Sequence, residues 1–317
     1  MKNIQYILNK SEITAGTRGA SLGPEAIFAA ARTQQDLFFQ HQNFIHIQDT
    51  NHLLDNPDHN PHAKRIQGLI SVFEQLNVQV ADTLKKEQFP VLIAADHGSA
   101  GGTICGIKSA FPNAKLGIVW IDAHADIHTP YTTPSGNMHG MPLGTVIGDD
   151  NLECQRNDLN ASTLAHWETL KKIGFDGPKF HPDHLVYVAV RDTEPEEEAI
   201  MKRLAIKNYT VEEVRTLKIQ GIVAGIQNRL KDCTHVYVSF DVDSMDPDLT
   251  SYGTGTPVKN GLTIEEAKEL LTQLVAWEKT VCFEIVEVNP CLDEKKNKMA
   301  EIAFEIIKDV AAVIAAK

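Results

Sequence analysis

Aspartate and histidine alternate in the segment IDAHAD at positions 121–126, directly after an apolar run. Residues two apart in an extended chain point the same way, so Asp122, His124 and Asp126 can face one point. Carboxylates held this close repel one another, and burying them without a counter-charge is costly. Because carboxylates and imidazoles are also metal ligands, the spacing predicts a metal site.

The same residue types follow other apolar runs. His97 ends the segment AADH, and SFDVD places Asp241 and Asp243 two residues apart. Two divalent cations would balance the four aspartates, with the two histidines as neutral ligands. A donor set rich in carboxylates and lacking a thiolate argues against a structural zinc site. It fits Mn²⁺, for which Fe²⁺, Co²⁺ or Ni²⁺ can substitute.

Some polar residues near these segments are interpreted as structural. Asp246 precedes Pro247 in a turn signature. Asp96 is expected to lie in a turn or to support His97, because a metal-bound histidine needs a partner for its other ring nitrogen. Asp192 and Glu287 follow two further apolar runs. In all, five apolar runs therefore end in acidic or histidine side chains.

Buried strands must position these residues. Near-continuously apolar runs predict strands at 44–48, 90–97, 115–124, 185–192, 234–243 and 282–290. Helical patterns lie between them at 71–86, 194–205, 223–232 and 263–277. The last of these opens with Thr263 three residues before Glu266, which is the spacing of a capping box. This alternation predicts an α/β fold with a parallel sheet covered on both faces, and with ligands at the carboxyl ends of the strands.

Composition narrows the class of protein. The 317 residues contain no linker-like stretch, so we expect one domain spanning 1–317. A formal charge of −12 argues against nucleic acid or an anionic membrane surface as a partner. The five cysteines form no CxxC pair, and no apolar run approaches the ~18 residues of a membrane-spanning helix. A cytoplasmic protein is the expectation.

Four separated blocks carry a family resemblance. They are AADHGSAGGT (94–103), DAHADIHTPYTTPSGNMHG (122–140), SFDVDSMDPDLTSYGTGTPVKNGLT (239–263) and EIVEVNP (284–290). In this order they resemble the ureohydrolase family, and within it most of all the arginases. The similarity runs from residue 16 to the final helix. It implies a three-layer α/β/α fold with a mostly parallel sheet of about eight strands, two Mn²⁺ per chain, and assembly into homotrimers or homohexamers.

The resemblance also implies which residues bind the two ions. One ion would be held by His97, Asp122, Asp126 and Asp241. The other would be held by His124, Asp122, Asp241 and Asp243. A hydroxide between the ions would be the nucleophile in the hydrolysis of L-arginine to L-ornithine and urea.

Further roles follow from the same resemblance. Asp126 would pass a proton to the leaving amine, His139 would exchange protons with solvent, and Glu287 would orient the guanidinium group. The implied substrate contacts are His128, Ser135, Asn137, Glu194, Glu197 and Thr256.

Departures from the arginase pattern leave alternatives open. Arginases usually carry asparagine where this chain has His128, aspartate where it has Glu194, and Gly-Gly where it has Ala94-Ala95. A sister enzyme acting on agmatine, another guanidino acid or formiminoglutamate is therefore the main alternative. A zinc-dependent deacetylase of related fold would need only one metal and fewer acids. A non-catalytic binding protein would be expected to have lost ligands that are all present here.

Overall fold

A single eight-stranded sheet forms the centre of the computed structural model, which describes residues 2–317. In chain order the strands are β1 Ile4–Asn9, β2 Phe44–Ile47, β3 Phe89–Ala94, β4 Leu116–Ile121, β5 Leu185–Val188, β6 Lys207–Tyr209, β7 His235–Asp241 and β8 Thr280–Val286. Their order across the sheet is β2-β1-β3-β8-β7-β4-β5-β6. Every neighbouring pair is parallel, which confirms the predicted fold class.

Helices cover both faces of the sheet. They are α1 Gly23–Thr33, α2 Ile66–Lys85, α3 Ala100–Ala110, α4 Pro142–Ile147, α5 Ala161–Lys172, α6 Pro195–Arg203, α7 Val211–Arg229, α8 Ile264–Ala276 and α9 Lys298–Ala315. On one face α1, α7, α8 and α9 bury their apolar residues, and on the other face α2 to α6 do so. The result is the predicted three-layer α/β/α arrangement.

Burial on both faces explains the uninterrupted apolar runs. Successive strand residues point to opposite faces. In β4, Val119 and Ile121 belong to one hydrophobic core, whereas Ile118 and Trp120 belong to the other. Each residue of β4 therefore has an apolar environment, and no polar alternation appears in its sequence.

The topology brings four strand ends together. The chain leaves β3 and returns as β4 three positions away, and β8 and β7 later occupy the two places between them. The central strands β3, β8, β7 and β4 are therefore neighbours, although they are far apart in the sequence. Their carboxyl ends share one edge, where ligands bind in open parallel sheets.

The sequence-based elements agree with the structure in part. All six predicted strands form, although β1 and β6 were not predicted. The predicted helix at 223–232 is the second half of α7, which begins at Val211. The capping box is confirmed: Thr263 Oγ1 accepts from Glu266 N at 3.1 Å, and Glu266 Oε2 accepts from Thr263 N at 2.9 Å. Within residues 2–317, no helix combines the length and apolar character needed to span a bilayer.

Candidate active site

The six predicted metal ligands lie together just beyond the central strands. His97 is in the turn after β3, and Asp122, His124 and Asp126 follow β4. Asp241 is the last residue of β7, and Asp243 lies in the turn after it. Asp126 adopts a left-handed backbone conformation with φ 50°, which is uncommon outside glycine and is found at functional sites.

The first cluster is centred on the His97 imidazole. Its Nδ1 lies 2.9 Å from Asp122 Oδ2, and 3.2 Å from both Asp126 Oδ2 and Asp241 Oδ2. Nδ1 is buried, yet it forms no hydrogen bond of acceptable geometry to any partner within residues 2–317. A ring nitrogen that faces three carboxylate oxygens without a hydrogen bond is arranged like a ligand around a cation.

The second cluster shares Asp122 with the first. His124 Nδ1 lies 3.4 Å from Asp122 Oδ1 and 3.1 Å from Asp243 Oδ2. Each oxygen of Asp122 therefore faces a different histidine. This carboxylate can bridge two cations, one in each cluster.

Electrostatics also indicate a need for positive charge. Burial, followed by the charge of Asp122, raises the pKa of Asp126 to about 7. Burial and the charges of Asp243 and Asp122 raise the pKa of Asp241 well above its usual range. Although burial lowers the pKa of His97, the surrounding carboxylates raise it well above its usual value. The raised pKa values mean that these groups hold protons, which offset the carboxylate charges. Bound cations would offset the same charges, so the residues fit a two-metal site.

Ser239 and Trp120 orient the first cluster, and no local sequence pattern predicts this role. His97 Nε2 pairs with Ser239 Oγ at 2.8 Å, and the His97 ring stacks on Trp120 with centroids 4.0 Å apart. Trp120 Nε1 donates to Asp122 Oδ2 at 2.9 Å. Of the two roles expected for Asp96, the structure shows the turn: Asp96 lies in the turn after β3, where it accepts from Thr14 N at 2.9 Å and does not pair with the His97 ring. The support for His97 comes from Ser239 instead, which lies on β7 beside Trp120, the residue on which the His97 ring stacks.

Glu287, Thr256 and His139 face the clusters from other segments. Glu287 is buried, has φ 68°, and accepts from His97 N at 2.8 Å through Oε1. Burial, followed by the charge of Asp96, raises its pKa well above the usual range. Thr256 Oγ1 donates to Asp243 Oδ2 at 3.1 Å. Burial lowers the pKa of His139 to about 4, so its imidazole is neutral near pH 7.

Two of the three departures from the arginase pattern, His128 and Glu194, touch each other. His128 Nε2 lies 3.2 Å from Glu194 Oε2, and His128 Nδ1 lies 3.0 Å from Thr132 Oγ1. The hydrogen bond with His128 lowers the pKa of Glu194 to about 2. Glu197 is buried, and its two oxygens accept from the backbone N–H groups of Ile127 and Glu194.

Ser135 and Asn137 lie on a loop that glycine makes possible. Gly136 between them has φ 74°, and a Cβ there would stand 1.9 Å from Pro61 O. Asn137 N donates to Ser135 Oγ at 3.1 Å. The Lys64 ammonium donates to Asn137 Oδ1 at 3.2 Å, a contact that no local sequence pattern predicts.

Arg191 ties the second cluster to the loop after Thr256. Among residues 2–317, its guanidinium donates only to backbone carbonyls, those of Ala189, Asp243, Ser244, Val258 and Lys259. Its own backbone N–H donates to Ala123 O at 2.8 Å, between two predicted ligands. Arg191 was also missed, because a single arginine after a strand has no distinctive spacing.

These groups converge on one cavity. All the predicted site residues except Asp122 line a space of about 210 Å³. The two clusters and Glu287 provide one end of this space with metal-binding and carboxylate groups. His128, Glu194 and the loop around Asn137 provide other parts of the wall. The arrangement suits a small polar molecule that has one cationic group at the metal clusters and further polar groups elsewhere.

Comparisons with known proteins agree with this geometry. The model of the arginase family matches residues 9–312. The arginase of Bacillus caldovelox is 31% identical over 312 residues, covering 97% of each chain. The crystal structure of Entamoeba histolytica arginase in complex with L-ornithine superposes with a TM-score of 0.81 at 25% identity, covering 98% of each chain. An agmatine ureohydrolase of Thermoplasma volcanium, at 16% identity and a TM-score of 0.70 over 99% of this chain and 90% of that one, shares the fold.

Proposed function

The chain belongs to the arginase family, and we propose that it is a binuclear metal hydrolase that converts L-arginine to L-ornithine and urea. The observation that carries the proposal is the pair of His–carboxylate clusters sharing Asp122, placed in one cavity with Glu287. The proposed substrate is based on the names of the relatives, and the proposed metal-dependent hydrolysis is based on the metal-binding side chains.

Two cations would be held by the six ligands named above. When bound, divalent cations in such a pair lower the pKa of water and stabilise developing negative charge at the reacting carbon. We propose Mn²⁺ because the donors are four carboxylates and two imidazoles, without a thiolate.

The remaining steps fall to side chains. Glu287 would accept hydrogen bonds from the substrate guanidinium, because a carboxylate suits that planar, cationic group. Asp126 would take a proton from the attacking water and give it to the departing nitrogen. His139, which is neutral and lines the cavity, would exchange protons with solvent. Thr256 would form a hydrogen bond close to the scissile group.

The other end of the cavity would hold the amino-acid group. Ser135 and Asn137 would contact the substrate carboxylate, and Glu194 and Glu197 would contact its ammonium. His128 would contact the substrate carboxylate or hold Glu194 in position. These assignments rest on the residues' place in the wall and on the resemblance to arginases.

Larger-scale properties complete the proposal. We propose that residues 1–317 form one catalytic domain, supported by the single sheet that contains all eight strands. We also propose a cytoplasmic homotrimer or homohexamer that acts in arginine metabolism.

The contact between His128 and Glu194 favours one alternative. In this contact the two side chains use polar atoms that would otherwise bind the amino-acid group of L-arginine. The substrate of a sister enzyme, such as agmatine, 4-guanidinobutyrate or formiminoglutamate, is therefore the second candidate.

The decisive experiment is product release by purified, Mn²⁺-loaded protein. Each of L-arginine, agmatine, 4-guanidinobutyrate and formiminoglutamate is supplied separately, and urea or formamide is measured. Urea from L-arginine alone is the expected result. Turnover of another substrate instead would replace L-arginine in the proposal. No turnover of any of the four by protein that contains two metals would contradict it.

A further inference from the structure

The charge of the cavity wall poses a problem for a carboxylate-bearing substrate. Seven of the residues lining it are aspartate or glutamate, and none is lysine or arginine. Bound cations at the metal clusters would offset the acids there. A nearby cation would stabilise a substrate carboxylate held elsewhere in the cavity, because like charges in a partly buried site repel strongly.

Lys64 contacts the wall from behind. It lies in the segment between Pro61 and the start of α2, and its ammonium donates to Asn137 Oδ1 at 3.2 Å. The residue is half-buried. Among residues 2–317, no carboxylate oxygen lies within 4.0 Å of this ammonium, so no acid neutralises it directly.

The backbone fixes this contact. Lys64 N donates to Gly136 O at 2.9 Å, and Gly136 N donates to Thr133 Oγ1 at 3.0 Å. Gly136 lies so close to Pro61 that no other residue would fit. Lys64 and Asn137 are therefore held side by side by the packing of two segments, not by the side-chain contact alone.

The contact also determines how Asn137 presents its amide. A lysine ammonium only donates hydrogen bonds, so the oxygen end of the amide must face Lys64. The Nδ2 end then points away, toward Gly16, where an added Cβ would stand 2.9 Å from it. That nitrogen offers donors, and donors are what a carboxylate requires.

We propose that Lys64 is a specificity-determining residue that selects guanidino substrates carrying a carboxylate. It supplies a positive charge next to Asn137 and holds the Asn137 amide with its oxygen turned to Lys64 and its N–H groups on the side of Gly16. This inference rests on the proposed function, since it assigns the class of substrate for the same site.

The test compares a carboxylate-bearing substrate with its decarboxylated counterpart. L-Arginine and agmatine are assayed with Mn²⁺-loaded wild type, Lys64→Met and Lys64→Arg. If agmatine is not hydrolysed, its inhibition constant against L-arginine replaces KM. Lys279→Met is the matched control, because Lys279 precedes β8 at the opposite edge of the sheet and donates to Lys231 O.

The expected result is a split between KM and kcat. Lys64→Met should raise KM for L-arginine about 10-fold or more, the usual scale for losing a charge-assisted contact. Its kcat should stay within about 2-fold, because no metal ligand is touched. Lys64→Arg should show a smaller rise, agmatine constants should change little, and Lys279→Met should match wild type.

Several outcomes separate this inference from the proposed function. An unchanged KM for L-arginine in Lys64→Met, or an equal rise for both compounds, would overturn the inference alone. A wild type that hydrolyses only agmatine would overturn it together with L-arginine as substrate. If metal-loaded wild type hydrolyses neither, L-arginine binding is measured by calorimetry. Weaker binding by Lys64→Met would then support the inference although the proposed function had failed.

Discussion

Asp122 connects the two halves of the candidate metal centre. One of its oxygens faces His97 and the other faces His124, while Trp120 donates to it from below. A side chain shared in this way couples the two sites, because a shift toward one cation changes its distance to the other. Substitutions in the first cluster should therefore also affect the second.

Replacing a ligand of the first cluster tests this assignment. Asp126→Asn and His97→Asn should each abolish detectable activity and lower the bound metal from two ions per chain. Each substitution removes a carboxylate or imidazole ligand, and the buried cluster contains no further ligand to replace it. Metal content by mass spectrometry after dialysis, and urea release, check the prediction. Full activity in either variant would contradict the ligand assignment.

The contact between His128 and Glu194 is a second residue-scale test. Because the side chains touch, His128→Asn and Glu194→Asp should not act additively on KM for L-arginine. We expect a coupling of ~1 kcal/mol in a double-mutant cycle, typical of residues in contact. The measurement is KM and kcat for wild type, both single variants and the double variant. Additive effects would show that the two positions act independently.

Sequence patterns indicate the candidate ligands but not the residues that support them. Asp122, His124 and Asp126 stand out because alternation places acids where a buried strand should end. Ser239 and Lys64 have ordinary neighbours, and each acts on a residue at least 70 positions away. Such contacts depend on which strands and loops become neighbours, and local spacing holds no information about that.

At the scale of elements, Arg191 links the end of β5 to the turn after β7 and to the loop around 258–259. Arg191→Lys would keep the charge but replace five donors in a fixed fork by three on a flexible stem. We expect weaker binding of the second metal by about 10-fold or more, the scale for residues that support ligands. Metal titration and the Mn²⁺ electron paramagnetic resonance spectrum check this.

The control for Arg191 is Arg215. It lies near the same loop and donates to Gly261 O at 3.0 Å, but its guanidinium forms no hydrogen bond with the Asp243 turn. Arg215→Lys should bind both metals as wild type does. Equal loss in both variants would indicate general loosening of the loop instead of a specific effect on the second metal.

Some elements escaped prediction for physical reasons. The strand β6 has three half-buried residues, too few for an apolar run. In α7 the residue Lys218 has φ 61° and ψ 164°, so two helical segments meet at a break. The apolar positions before and after the break therefore do not follow one continuous helical period. By contrast, α8 has both a capping box and a clear apolar face, and the predicted limits are within one residue of the observed ones.

At the scale of the molecule, the sheet order is what turns distant motifs into one site. Apolar runs predict that strands exist, but they do not indicate that β8 and β7 lie between β3 and β4. The three-layer fold therefore followed from the alternation of elements, whereas the strand order required the structure. Only this order makes the turns after β3, β4 and β7 adjacent.

Gathering so many acids at one sheet edge has a cost in stability that metal should offset. Asp122, Asp126, Asp241 and Asp243 are all buried, and without cations they repel one another.

Any ligand that binds only the folded state stabilises it, by ~2.7 kcal/mol per site at a free concentration 100 times its Kd. For a chain of this size, each kcal/mol raises Tm by roughly 2–4 °C. We therefore predict that chelation lowers Tm by several degrees and that added Mn²⁺ restores it, as measured by scanning calorimetry. His97→Asn, which removes one ligand, should show a smaller response to chelator and to Mn²⁺. An identical Tm with and without chelator, in wild type shown to lose its metal, would mean that the acids are stabilised by protons or by the protein itself, and the charge argument for the metal centre would fail.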